Sequence, residues 1–334
     1  MAIEHEQLGA RMAELGGRRV PRHYGDPAAE YAAATTSAVV VDRADRVVLR
    51  ASGRDPVRML HGLVTNDLAG AGEGQVVYGA FLTSKGRMVA EGRLLRQGDV
   101  VLVETAAAAE ESLRAHFRKY LPPLFARVEE RPAGAVLGVY GPHAEAMLAQ
   151  AGAADAMRLG ALDVVEGVDL LVAPDELEPL WARLVAAGAR PAGHGTLEVL
   201  RVEAGRPRWG AELDESVIPL EAGLKDRAIS MTKGCYTGQE VIVRILHRGH
   251  VNRELRGLLL GDAPAPAHGA SLSLPDAEKS VGSVTSACAS PRLGQTIALA
   301  YVRREVAPGA TVLVDGHAAQ VVELPFPQAM EAAS

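Results

Sequence analysis

The apolar and polar positions of this chain fall into short blocks punctuated by glycine and proline, and those blocks predict the elements. Residues 5–17 predict a short helix closed by Gly16-Gly17. "SAVVVD" (37–42) and "RVVLRASG" (46–53) predict strands. Asp55-Pro56 then reads as an N-cap and first helical residue, before Val57, Leu60 and Leu63 on one face. "QVVYGAFLT" and "GRMVAEGRLLRQGDVVLVE" predict strands, the latter folding back at Gln97-Gly98-Asp99. Thr105 reads as the cap of a helix to Lys119 that stacks Leu113 over Phe117.

After "RPAGAVLGVYGP" the pattern becomes β then α. Pro142 opens a helix ending near Gly152, and "LDVVEGVDLLVAP" predicts a strand. Asp175 and Glu178 form a capping-box pattern ahead of Leu177, Trp181, Leu184 and Val185. Thr196 opens "TLEVLRVEAG", a helix ended by Gly205. From about Val251, six short apolar runs alternate with Gly, Pro and Asp, the texture of a small barrel or sandwich. "GDAPAPAHGA" is a turn-rich loop within it, and the final "PQAMEAAS" is expected to fray.

The chain has 334 residues, which suggests two or three domains. It is 48% hydrophobic and 23% charged, enough to bury a large core. A net charge of -6 argues against nonspecific nucleic-acid binding. No signal peptide and no membrane span is predicted. Two cysteines, Cys235 and Cys288, do not make a disulfide scaffold, and a reducing cytoplasm is the expected setting. The chain contains no Walker-A loop, no G-x-G-x-x-G after a strand and no H-E-x-x-H. Two cysteines far apart also fall short of a zinc or iron–sulfur site, so no resident metal is expected.

Candidate chemistry gathers in four stretches. "KGCYTGQE" (233–240) places Lys233 two residues from Cys235, and a nearby cation favours the reactive thiolate. Cys235 also reads as a small buried hydrophobe beside a turn. In "LRVEAGRPRWG", Arg201 and Glu203 lie about 200° apart on a helix. A pocketed Glu203 would suit a ligand with two adjacent N–H donors, such as a pterin or guanine. Otherwise it forms a surface salt bridge. "YGAFLTSKGRMVAE" offers Tyr78 for stacking and Lys85 and Arg87 for an anionic tail, or else a solvated hairpin. Arg244, Arg248 and Arg253 read equally as an anion rim or a protected strand edge.

"LVTNDL", "QVVYGAFLTSKGRM", "LRVEAGRPRWGAELDESVIPLEAGL" and "KGCYTGQE" occur in the order seen in folate-binding proteins related to the glycine cleavage T-protein. The octapeptide resembles the signature of the YgfZ branch, associated with tetrahydrofolate-dependent maintenance of iron–sulfur enzymes. The resemblance implies a three-lobed α+β fold. Two intertwined α/β lobes (1–245) and a C-terminal β-barrel (246–327) would surround a central folate channel. It implies tetrahydrofolate or a derivative as cofactor, contacted by Tyr78, Glu203, Lys233, Tyr236, Gln239, Glu240, Lys85 and Arg87. Cys235 would be a redox or cluster-contact thiol. Partners would be iron–sulfur assembly factors or client enzymes, met by a monomer.

One departure bears on the chemistry. The T-protein pattern reads Gly-Gly-x-x-Asp-Asp where this chain has "GRMVAE" (86–91), so the first acid becomes Ala90 and the second Glu91. The alternative expectation is a tetrahydrofolate-dependent aminomethyl- or methyltransferase using Glu91 as its acid. A third is a folate sensor without chemistry.

Overall fold

The computed structural model describes residues 3–326 apart from 163 and 165, so the "PQAMEAAS" tail lies outside the described residues. The chain opens with β1 (Arg11–Leu15) and β2 (Arg18–His23), an antiparallel hairpin. This corrects the helix expected over 5–17. Gly16 and Gly17 have φ of 56° and 75°, and two successive positive φ values make a hairpin turn, not a helix cap.

Then come α1 (Pro27–Thr36), capped by Asp26, and β3 (Val39–Asp42), whose Val39–Val41 are all buried. β4 (Arg46–Ser52) and α2 (Pro56–His61) follow, with the Asp55 side chain accepting from Arg58 N as the sequence predicts. β5 (Val76–Leu82), β6 (Met88–Gln97) and β7 (Val100–Ala106) form a meander that turns at Gly98, φ 54°. Thr105 lies inside β7, where its hydroxyl donates to Glu91 O at 2.7 Å; it caps no helix. The helix α3 (Glu110–Tyr120) begins five residues later and still buries Leu113 and Phe117, the latter edge-on to Phe81 at 5.2 Å.

β8 (Arg127–Val128), β9 (Ala135–Tyr140), α4 (Ala144–Gln150) and β10 (Gly167–Val172) come next. α5 (Leu177–Ala186) starts without a side-chain cap, so the Asp175–Glu178 box does not form; Trp181 and Leu184 are buried but Val185 is exposed. β11 (Arg190–Pro191) leads to α6 (His194–Glu203), which opens two residues before Thr196. The Thr196 hydroxyl is spent on buried Glu30 at 3.0 Å. Short α7 (Lys225–Ala228) and α8 (Gln239–Arg248) precede the last strands.

Two sheets share the first part of the chain. β5-β6-β7-β4-β8 form one, and β10-β9-β3-β11 the other. The chain lays down β3 in the second sheet, leaves to build the first, then returns, so the two lobes are intertwined. The remaining strands are β12 (Arg253–Gly261), β13 (Ser271–Leu274), β14 (Ala277–Ser290), β15 (Gln295–Arg303), β16 (Thr311–Val314) and β17 (His317–Val322). They close a six-stranded barrel, β12-β15-β14-β13-β16-β17. Helix α8 crosses the boundary expected at 245/246, and the barrel's first strand starts at Arg253. Among the described residues no helix is long and apolar enough to cross a membrane.

Candidate functional site

Helix α6 ends at a cavity of about 650 Å³, where it meets α1, α7 and the barrel. Glu203, its last residue, is 4% exposed and lines that cavity. Arg201 and Glu203 need not share a face at their spacing, and they do not. The Arg201 guanidinium is buried against Glu198, Glu212 and Ser286. The Tyr31 hydroxyl donates to Glu203 Oε2 at 2.8 Å and also lies 3.1 Å from Oε1. Ser290 Oγ and the Arg292 backbone N–H donate to Oε1 as well, the latter at 3.3 Å. A carboxylate offers about four lone-pair positions. Oε1 is crowded, whereas Oε2 meets Tyr31 and, at 4.0 Å, Arg292 Nε, and keeps room for a further donor. Burial, then the hydrogen bond to Glu203, hold the Tyr31 hydroxyl well above its ordinary value.

The cavity wall is otherwise basic and apolar. Arg206, Arg227, Arg256 and Arg292 line it, against two acids, Glu166 and Glu203. Leu200, Pro207, Leu224 and Phe326 supply flat apolar surface. Tyr31 and these arginines were not singled out in the sequence. Tyr31 lies 172 positions before Glu203, beyond the reach of any linear motif.

Tyr78 lies just outside. It lines an adjoining hollow of about 420 Å³ with Arg93, and Arg227 belongs to both cavities. The Arg227 guanidinium sits 5.3 Å over the Tyr78 ring. Tyr78 is directly opposite Arg93 in the sheet and Glu91 is opposite Ala80, so Tyr78, Glu91 and Arg93 share one face. On that face Arg46 Nη1 donates to Glu91 Oε1 at 2.8 Å, while Arg46 and Arg93 both clamp Glu104. Arg93 reaches on to Asp169 in the other sheet at 2.6 Å. Burial alone would raise the Glu104 carboxyl, but Arg46 and Arg93 outweigh it and hold it at about 2. Glu91 is 2% exposed, does not line the main cavity, and its Oε2 is buried without a partner among the described residues.

The octapeptide stands apart from the main cavity: none of residues 233–240 lines it. Lys233 Nζ donates to three carbonyls, His61 O at 2.6 Å, Val64 O at 2.6 Å and Asn66 O at 3.0 Å. Burial pushes the Lys233 ammonium down to about 8, with Asp67 pulling the other way. Tyr236 is buried, its ring under that ammonium at 5.1 Å. Gly238 takes φ 83° where the chain passes the β5–β6 turn, and a Cβ there would sit 2.5 Å from Thr83 O. Gln239 and Glu240 begin α8, while Lys85 is exposed in the facing turn. Arg87 donates to Ser216 O at 2.6 Å. Cys235 is exposed and free; Cys288 is buried, and burial and then Glu203 push its thiol up to about 12.

The loop that Lys233 grips holds the Tyr78–Arg227 pair. Asn66 Nδ2 donates to Tyr78 O at 2.9 Å and lies 3.3 Å from Arg227 O, and Thr65 Oγ1 donates to Ala228 O at 2.6 Å. "LVTNDL" therefore joins β5 to α7, and the octapeptide lysine holds "LVTNDL". Among the described residues no group of three or more metal-ligating side chains comes together.

The GCVT N-terminal domain family matches residues 1–166 and 165–233, and the glycine cleavage T-protein C-terminal barrel domain matches 253–327. An aminomethyltransferase of Rubrobacter xylanophilus is 34% identical, the alignment covering 97% of this chain and 92% of that one. An aminomethyltransferase of Stenotrophomonas maltophilia is 28% identical over 97% and 93%. The crystal structure of glycine cleavage system aminomethyltransferase T from Bartonella henselae superposes with a TM-score of 0.88. That match has 21% identity over 97% of this chain and 96% of the other, and it shows a shared fold. The T-protein-like α/β architecture with its closed C-terminal barrel is thus present from one end of the alignment to the other, and the chain belongs to the glycine cleavage T-protein family.

Proposed function

We propose that this protein binds a tetrahydrofolate in the Glu203 cavity and acts on a one-carbon unit carried by it, as an aminomethyltransferase or a close relative of one. The observation that carries the reading is the Glu203 carboxylate, buried in the wall with acceptor capacity on Oε2. A pterin edge presents N–H donors, and the open position on Oε2 accepts one of them, with Tyr31 beside it. A folate tail ends in carboxylates, which suits Arg206, Arg227 and Arg256 of the same wall. The cavity volume lies in the range of small-molecule sites. The relatives' names support one-carbon transfer over other folate uses.

In this reading Glu203 and Tyr31 read the ring, and the arginines hold the tail. Tyr78 acts through Arg227. Lys233, Tyr236, Gln239, Glu240, Lys85 and Arg87 support the wall and do not touch the ligand. Glu91 serves the transfer only if its ion pair with Arg46 opens. Calorimetric titration with tetrahydrofolate is the test. Glu203→Ala should weaken binding by about 10- to 100-fold, the loss of hydrogen bonds to a charged group. Absence of binding to the wild type would remove the reading.

A second reading is favoured by the exposed Cys235 inside the branch octapeptide, together with the buried pairing of Glu91. It makes the protein a folate-binding partner of iron–sulfur assembly factors or client enzymes. Cys235 would be the one accessible thiol, since Cys288 is buried. Cys235→Ser in the host should lower the activity of iron–sulfur dehydratases as a deletion does. Normal activity in the Ser variant beside a defective deletion strain would take the cysteine out of the mechanism.

A further inference from the structure

A second basic hollow lies at one edge of the five-stranded sheet. Ser52, the end of β4, stands opposite Val100, the start of β7, so the loop after β4 meets the β6–β7 turn. Helix α2 closes the third side of a space of about 260 Å³. Its charged lining is Arg54, Arg58, His61 and Arg96, with Asp55 and Asp99. It shares no residue with the Glu203 cavity.

Three features point to a ligand. First, none of the three guanidiniums forms an ion pair among the described residues; the Arg54 group only leans over the Phe125 ring at 6.0 Å. Second, Arg96 lines the hollow with a guanidinium whose buried Nε has no hydrogen-bond partner among the described residues, so the protein leaves that charge unmatched. Third, His61 Nδ1 accepts from Ala69 N at 3.2 Å, which places the neutral ring's proton on Nε2 as a donor; Asp67 Oδ1, 3.6 Å from Nδ1, is itself held by Gly70 N at 2.9 Å. Of the two acids, the Asp55 carboxylate already accepts from Arg58 N at 3.2 Å, and Asp99 is exposed in the turn. Four donor side chains thus surround a space too small for a folate and suited to a tetrahedral oxyanion. Guanidinium forks match phosphoryl oxygens in pairs.

We propose that the hollow lined by Arg54, Arg58, His61 and Arg96 is a phosphoryl-binding site, taking inorganic phosphate or a small phosphomonoester. Its floor touches the octapeptide, because Lys233 Nζ is bonded to His61 O at 2.6 Å. A ligand there would bear on the loop that sets Tyr78 and Arg227.

Titration of the full chain at constant ionic strength tests this, followed by calorimetry and by the His61 side-chain resonances. Inorganic phosphate and glycerol phosphate are the two probes. Saturable binding below about 1 mM is expected. It should weaken about tenfold in Arg58→Gln, an exposed position whose change leaves the fold intact, and in Arg96→Gln, each losing a charge-assisted hydrogen bond. Tighter binding of glycerol phosphate identifies a small-molecule source, and equal binding identifies the phosphoryl group alone. A His61 response that rises without saturating in the wild type would overturn the proposal. So would wild-type affinity in both variants, or equally strong competition by a short glutamate peptide. Glu203→Ala should leave phosphate binding unchanged, so this site and the folate reading fail separately.

Discussion

Lys233 shows most plainly what one residue does here. Its ammonium gathers three carbonyls, one at the end of α2 and two in the loop that follows, so its charge is spent inside the protein. Lys233→Met should cost about 1–3 kcal/mol in urea unfolding, since buried acceptors are left unpaired. Folate affinity should fall with it, because Asn66 then holds Tyr78 and Arg227 less firmly. Unchanged stability would mean the carbonyls are satisfied by water. The sequence revealed the motif but not this role. Lys233 and Cys235 look like one activated site, and the structure separates them: the lysine turns inward and the thiol faces out. The surroundings of Glu91 were equally hidden. Its pairing with Arg46, 45 positions away, reaches from β6 across β7 to β4 and leaves no local trace.

At the scale of elements, periodicity was a good guide where one face is buried and a poor one at the ends. The β5–β7 meander, the capped α2 and the barrel strands follow the pattern of the sequence. The failures lie where a side chain had a tertiary use. Thr105 and Thr196 look like helix caps, yet their hydroxyls bond Glu91 O and Glu30. The first hairpin was missed because Gly16-Gly17 can stop a helix or turn a hairpin, and the pairing with β2 decides. The junction of α8 with the β5–β6 turn rests on Gly238. Gly238→Ala would need φ 83° and place a methyl 2.5 Å from Thr83 O. It should lose about 1–3 kcal/mol. An unfolding midpoint equal to wild type would show that the turn yields freely.

Across the whole molecule, Arg93 and Asp169 link the two sheets by buried charge, and other buried titratable groups set the response to acid. Burial, and then Lys119, push the His116 ring down to about 4, below its unfolded value of 6.5. Its contribution is therefore complete above pH 6.5 and is lost as pH falls through 4. Glu104 is held at about 2 against an unfolded 4.5, so its contribution is complete above 4.5 and is lost as pH falls towards 2. Stability should decline from about pH 6.5 downward, by at most about 1.4 kcal/mol per pH unit for each group. His116→Gln should flatten the upper part of that curve; an unchanged slope would contradict the assignment. The family resemblance made the architecture legible from sequence and drew notice to Glu203, which lines the cavity. The cavity around Glu203 was not, because Tyr31, Arg227 and Arg292 come from three distant parts of the chain. The most direct test of the central claim is calorimetric titration of the full chain with tetrahydrofolate, beside Glu203→Ala at matched folding. Saturable binding to the wild type, weakened about 10- to 100-fold in the variant, is the predicted result. Equal affinity in the two proteins, or no binding to either, would contradict it.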